Sequence, residues 1–195
     1  VNEERAGVAY VDITTGEFAV TELEGSDILG ALRSELIRLS PAEVLHASDV
    51  ELGNGIPGHQ TALPAWRFET ARCRDLLQAH FQTASLDGFG LRGRNLSVAA
   101  AGAILQYISD TQESALKLLG RISTYQTSDF MTLDAATRRN LELTETLRGA
   151  QVKGSLLGVL DHTITPMGKR LMRAWVSKPL LDVELIRSRQ DQVAH

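Results

Sequence analysis

Residues 7–23, GVAYVDITTGEFAVTEL, decide the character of the first half of this chain. GVAYVDI is a short β-branched and aromatic run, Thr15-Gly16 supplies a tight turn, and EFAVTEL alternates, so the stretch predicts a β-hairpin. Working outward, Ser26 is placed to cap a helix in which Ile28, Leu29, Leu32, Leu36 and Leu39 recur at helical spacing until Ser40-Pro41 stops it. EVLHA, residues 43–47, reads as a buried strand, and the Gly- and Pro-rich residues 53–64 read as an irregular loop leading to WRFE. From Thr70 a helix sets Cys73, Leu76, Leu77, His80 and Phe81 on one stripe and turns Arg72, Arg74, Asp75 and Gln78 toward water. LSVAAAGAILQYISDTQ, residues 96–112, is a further helix, and its small residues from Ala99 to Ala103 let another element approach its backbone. Strands alternating with helices imply a sheet with helical cover.

Beyond Gly120 the pattern changes. ISTYQTSDFMTL, residues 122–133, is short and β-branched, a connector or small strand pair; helices are then expected at 134–148, 155–161, 166–177 and from 183 onward. The predicted organisation is therefore an α/β domain over residues 1–121 followed by an all-α domain over 122–195. Charge separates the same two parts. Residues 1–121 hold 10 Lys and Arg against 16 Asp and Glu, whereas 122–195 hold 10 against 8. An acidic first part is a poor tracker of phosphate, because nonspecific nucleic-acid binding depends on Lys and Arg neutralising the backbone.

At 195 residues, with 43% hydrophobic and 23% charged residues, the chain can bury one substantial core or two smaller ones. Its single cysteine, Cys73, excludes an intramolecular disulfide and fits a reducing compartment. No apolar run is long enough for a membrane span, and VNEERAGVAY lacks the basic-then-apolar order of a signal peptide, so a cytoplasmic protein is expected. The chain begins without methionine and ends inside a helical pattern that starts near Asp182, as expected of a piece of a longer protein.

Several apparent motifs point to chemistry and are better read structurally. Gly88-Phe89-Gly90-Leu91-Arg92-Gly93 matches G-x-G-x-x-G, but a dinucleotide fingerprint leaves a strand and enters its helix directly, and this one follows a helix and Thr83-Ala84-Ser85. No G-x-x-x-x-G-K-[ST] occurs; Gly168-Lys169 is followed by arginine. Asp12 on the first strand could hold Mg²⁺ for phosphodiester cleavage only if other carboxylates converged on the metal. Glu17, Glu43 and Asp49 show no spacing that joins them to it, so Asp12 reads as a turn-capping residue and nuclease activity is the alternative. The histidines, His46, His59, His80, His162 and His195, are scattered and form no metal-ligand pattern. In the second part Thr165-Pro166 opens a helix as cap and first residue, with Met167, Leu171, Ala174 and Trp175 as its buried stripe. Arg138-Arg139 and Lys169-Arg170 with Arg173 are its basic clusters; no aromatic residues interleave with them, which favours a solvated face or ion pairs over phosphate contact and leaves an autonomous DNA-binding module as the weaker alternative.

Two sets of segments carry a family resemblance. TLDAATRRNLELTETLRG (132–149), SLLGVLDHTITPMGKRLMRAWVSKPL (155–180) and DVELIRSRQDQVAH (182–195) resemble the start of the core, or lever, domain of the MutS mismatch-repair proteins. GVAYVDITTGEF, LIRLSPAEVL, LDGFG and AAGAILQYISDTQ resemble the MutS connector domain, and all these segments stand in the family's order. The resemblance implies an RNase H-like connector domain followed by the first helices of a helical core domain. It implies a noncatalytic part of a DNA-dependent ATPase that would hold ATP and Mg²⁺ elsewhere, meet mismatched duplex DNA and form a homo-oligomer. It further implies that the connector offers a docking surface to MutL around residues 70–82. Cys73-Arg74 stands there in place of an expected pair of glutamines, and the exposed face predicted for docking is Arg74, Asp75 and Gln78.

Overall fold

A computed structural model of the chain describes residues 1, 4–53, 55–131, 133 and 135–194. Its contacts divide it into two compact units, Val1–Tyr125 and Gln126–His195. Mixed strands and helices build the first, and helices dominate the second.

The first unit is organised by the hairpin of β1 (Arg5–Asp12) and β2 (Glu17–Glu24), antiparallel in a register that pairs Asp12 with Glu17 and Arg5 with Glu24. Gly16, at φ +72°, makes the turn, and a Cβ there would lie 2.8 Å from the Leu118 carbonyl oxygen. Because side chains alternate across a strand, the hairpin has two faces with separate apolar partners. Ala6, Val8 and Leu23 face α1 (Ile28–Leu39) and bury its Ile28, Leu32 and Leu36. Phe18 and Val20 join the larger cluster built with α2 (Thr70–Phe81) and α3 (Asn95–Thr111), which includes Cys73, Leu77, Val98, Leu105, Ile108 and Ile122. Burying such a side chain fully contributes about 1.5–3 kcal/mol, so the larger cluster is the main source of cohesion in this unit.

Small residues set the helix spacing as the composition of residues 99–103 predicts. A Cβ on Gly102 would sit 2.3 Å from Cys73 Cβ and 2.6 Å from Cys73 Cα, so α2 lies directly on the α3 backbone. A similar approach fixes α3 on the sheet, since a Cβ on Gly7 would sit 2.2 Å from the Leu96 carbonyl carbon.

Three details of the first unit differ from the sequence reading. Helix α1 is capped by Asp27, whose carboxylate accepts the Gly30 N–H at 2.9 Å, and not by Ser26. The expected loop over 53–64 contains a strand, β4 (His59–Leu63), which pairs in parallel with β3 (Glu43–Ala47) as a separate two-stranded sheet. Only Leu63 of β4 is buried, so the strand carries no apolar alternation; its ladder to β3 and the Thr61 hydroxyl on Glu43 hold it. Finally, β5 (Ser123–Thr124) adds in parallel to β2, which carries the first unit on through Tyr125 and makes the strand order β1-β2-β5.

The second unit contains α4 (Ala135–Asn140), α5 (Leu156–Leu160), α6 (Pro166–Ser177) and α7 (Val183–Ala194). The helix expected over 134–148 ends at Asn140, and Asp134 lies outside the described residues. Glu142 turns into the left-handed region at φ +46°, and the carbonyls of Glu142 and Leu143 accept N–H groups from Leu156 and Leu157 at 3.0 and 2.8 Å. Those long-range bonds replace the helical ones. Thr165 caps α6 and Pro166 opens it, as the sequence predicts, and Ser155 caps α5. The apolar stripe of α6 is not buried: Met167 is 59% and Leu171 50% exposed, while Ala174 and Trp175 are half-buried. Arg189 of α7 lies 5.0 Å from the Trp175 ring centre.

Candidate functional site

The outward face of α2 is the best-built surface among the predicted site residues. Cys73 and Leu77 point inward against α3, which leaves Asp75 on the opposite side of the helix and Arg74 and Gln78 on its flank. Arg74 and Asp75 are exposed and Gln78 is half-buried. Arg74 Nη2 donates to Asn95 Oδ1 at 2.9 Å, tying α2 to the first residue of α3. Gln78 Nε2 donates to the Ala84 carbonyl at 2.8 Å and braces the loop that follows α2. Two of the three side chains are therefore held in place.

Sequence reasoning missed the aromatic neighbour of this face. Trp66, in the 3₁₀ turn Ala65–Phe68 just before α2, is exposed, and the guanidinium carbons of Arg72 and Arg67 lie 4.5 and 5.3 Å from its ring centre. Arg67 also pairs with Asp110 of α3 at 2.6 Å. The spacing Trp66 to Arg72 crosses a turn and a helix start, so no periodicity in the sequence reveals it.

The residues that could have made a nuclease are occupied separately. Asp12 accepts the Thr14 N–H at 2.9 Å and the Thr14 hydroxyl, which is turn capping. Glu17 accepts the Tyr10 phenol, and Glu43 accepts the Thr61 and Tyr107 hydroxyls at 2.6 and 2.9 Å. Among the described residues no group of three or more His, Cys, Asp and Glu is placed to hold a metal ion. His46 Nδ1 lies 3.0 Å from the Ala47 and Val50 carbonyl oxygens, and His80 Nε2 lies 2.7 Å from that of Leu119; His195 lies outside the described residues.

The glycine-rich stretch is likewise structural. Asp87–Phe89 forms a 3₁₀ turn, Leu91 is buried in the larger core, and a Cβ on Gly90 would lie 2.7 Å from Thr124 Oγ1. The close approach is to protein, and these residues do not fit a phosphate cradle. In the second unit Arg138 donates to the Ser177 carbonyl at 2.8 Å and Arg173 lies 3.6 Å from Glu145, whereas Arg139, Lys169 and Arg170 are exposed.

Buried polar groups serve the scaffold. Glu22, on the sheet face that meets α3, accepts the Leu96 and Ser97 N–H groups at 2.9 and 3.1 Å, neutralising donors at that helix's start. Glu35 and Arg38 of α1 form a forked pair, and Glu35 also accepts the Tyr125 hydroxyl. Burial, together with Glu35, pushes the Tyr125 phenol well above its ordinary range; burial and the bond to Glu17 do the same to Tyr10. Burial pushes the Cys73 thiol up to about 11, which makes it inert at neutral pH.

The family model for MutS domain II matches residues 2–120, and that for MutS domain III matches residues 136–195. The chain belongs to the MutS family. It is 41% identical over 196 aligned positions to the DNA mismatch repair protein MutS of Chlorobaculum parvum, and 40% identical over 196 to that of Halothermothrix orenii. Each alignment covers 98% of this chain and 22% of the relative, so the chain spans about a fifth of the length of the curated relatives it matches. MutS domain II thus corresponds to the hairpin, α2 and α3, and domain III to α4 through α7. No helix among the described residues is long and apolar enough to cross a membrane.

Proposed function

We propose that this chain is the connector and lever portion of a MutS-type mismatch-repair ATPase. In this reading the first unit is an RNase H-like connector and the second unit is the first part of the helical lever. The chain does no chemistry. It relays conformational change between the part of the full-length protein that meets mismatched duplex DNA and the part that binds ATP and Mg²⁺, in a cytoplasmic homo-oligomer. Gly90 packs against Thr124, Leu91 is buried in the core and the sequence holds no phosphate-loop motif, so no nucleotide step is assigned to this chain.

The connector's second role is to dock MutL on the outward face of α2. The observation that carries this reading is the braced side-chain set of Arg74, Asp75 and Gln78, two of them fixed by Asn95 and Ala84. A charged surface whose side chains are already ordered loses less conformational entropy when a partner binds. The test is Arg74→Glu/Asp75→Lys in the full-length protein, with crosslinking to its MutL measured on mismatched DNA in the presence of ATP. Crosslinking should fall at least tenfold while mismatch binding is retained; unchanged crosslinking by a folded variant would remove this face from the account.

A further inference from the structure

The chain is anchored on both sides of the passage from the first unit to the second. On the first side stands Tyr125. Its backbone N–H donates to the Val20 carbonyl at 3.0 Å, extending the β2–β5 pairing by one residue. Its hydroxyl donates to Glu35, whose side chain is 4% exposed and forked by Arg38, with Nε to Oε2 at 2.7 Å. Its ring lies 5.5 Å from the Arg38 guanidinium carbon and meets the Tyr10 ring edge-on, centres 5.8 Å apart. Backbone, hydroxyl and ring of one residue are thus held by β2, α1 and β1.

On the second side the chain is taken up at Asp129. The Leu181 N–H donates to the Asp129 carbonyl at 3.2 Å, the Met131 N–H donates to the Pro179 carbonyl at 2.8 Å, and Phe130 bridges Leu180 in antiparallel fashion. Gln126, Thr127 and Ser128 lie between the anchors. Thr127 and Ser128 belong to the 3₁₀ turn Thr127–Asp129, which Gln126 caps, its N–H donating to Asp129 Oδ2 at 3.1 Å.

We propose that Tyr125, docked on the Glu35–Arg38 fork, is a latch that ends the first unit at a fixed point and confines the joint between the two units to Gln126–Ser128. A buried ion pair adds little stability compared with an apolar filling of the same volume; its better-attested use is to specify one arrangement. Here the arrangement is directional. The Glu35 carboxylate has one Arg partner on its own helix and takes its further proton donor from the chain that is about to leave the unit. With the latch closed, the order of the first unit runs through Tyr125; with it open, the loss of order extends back through β5. The latch goes beyond the relay role proposed above and rests on contacts inside each unit, so its failure would leave that role standing.

Hydrogen exchange on the 195-residue chain tests it, comparing the unmodified protein with Tyr125→Phe and Glu35→Gln. Tyr125→Phe removes the hydroxyl and keeps the ring, and Glu35→Gln keeps an acceptor and removes the charge. In the unmodified protein the amide at position 125 should exchange at least tenfold more slowly than those of Thr127 and Ser128. Each substitution should speed exchange at positions 124 and 125 by about tenfold or more, the factor that loss of a charge-assisted hydrogen bond gives, while Leu105 and Ile108 in α3 keep their protection. Unchanged exchange at 125 in both variants would overturn the latch. So would loss of α3 protection in step with position 125, because it would make the cluster a general element of the core.

Discussion

Glu22 gives the sharpest test of how the first unit is built. Its side chain is 4% exposed, one oxygen accepts the second and third free N–H groups of α3, and the other meets Arg5 Nη2 at 2.6 Å. Glu22→Ala would leave two amide donors without that acceptor at a helix end pressed onto Gly7, where there is no space for a replacement side chain. Hydrogen bonds to a charged group contribute about 1.5–3 kcal/mol each, and a carboxylate at a helix N-terminus adds up to about 1 kcal/mol, but the terms overlap. The Arg5 side chain is 44% exposed and solvent screens its charge, so its pairing contributes little more. The expected loss is therefore about 3 kcal/mol for Glu22→Ala and about half that for Glu22→Gln, which keeps one acceptor. The chain has two tryptophans, Trp66 in the first unit and Trp175 in the second, so urea unfolding in a Trp175→Phe background reads the first unit through Trp66. With a slope of about 2 kcal/mol per molar, the midpoint should fall by about 1.5 M. A midpoint within about 0.25 M of the parent would refute the reasoning, since it would mean that water replaces the carboxylate at no cost.

Three further outcomes follow from the same packing. Gly102→Val should destabilise the first unit by at least about 2 kcal/mol in the same urea assay, because the new Cβ falls on Cys73 Cα and Cβ and the helices must part. Raising the pH should weaken the first unit. Cys73 keeps its proton to about 11 when folded but loses it near 9.0 when unfolded, so stability is fully present below pH 9 and falls by about 1.4 kcal/mol per pH unit between 9 and 11. The elevated phenols of Tyr10 and Tyr125 act in the same direction above pH 10, and Cys73→Ala should flatten the lower part of the decline in an alkaline titration of the urea midpoint. In the second unit Ile164, Met167 and Leu171 are at least half exposed, so the 195-residue chain should self-associate. Light scattering should show this, with Leu171→Glu restoring a monomer.

Legibility in the sequence tracked the range of the interactions involved. The hairpin, α2 and α3 follow from alternation and helical period, and the outward placement of Arg74, Asp75 and Gln78 follows from the inward placement of Cys73 and Leu77. Strand β4 was not legible because its stability comes from pairing with β3 and not from its own apolar pattern. The end of α4 was hidden for a similar reason. LELTETL has a helical period, but bonds from Leu156 and Leu157 draw Glu142 and Leu143 out of the helix. At the candidate site the face could be found and its bracing could not: Asn95 and Ala84 are recruited by chain reversal, and Trp66 meets Arg72 across a turn.

The relay role is tested most directly in the full-length protein with one spin label in each unit, at Ser34→Cys on α1 and Arg170→Cys on α6, both exposed positions. The native Cys73 is buried and held as the thiol, so it should escape labelling. The distance distribution between the labels is then measured on mismatched DNA before and after ATP is added. The account predicts that ATP shifts the distribution to a new maximum and that matched DNA without ATP leaves it in place. An identical distribution in every state would contradict a relay through these two units.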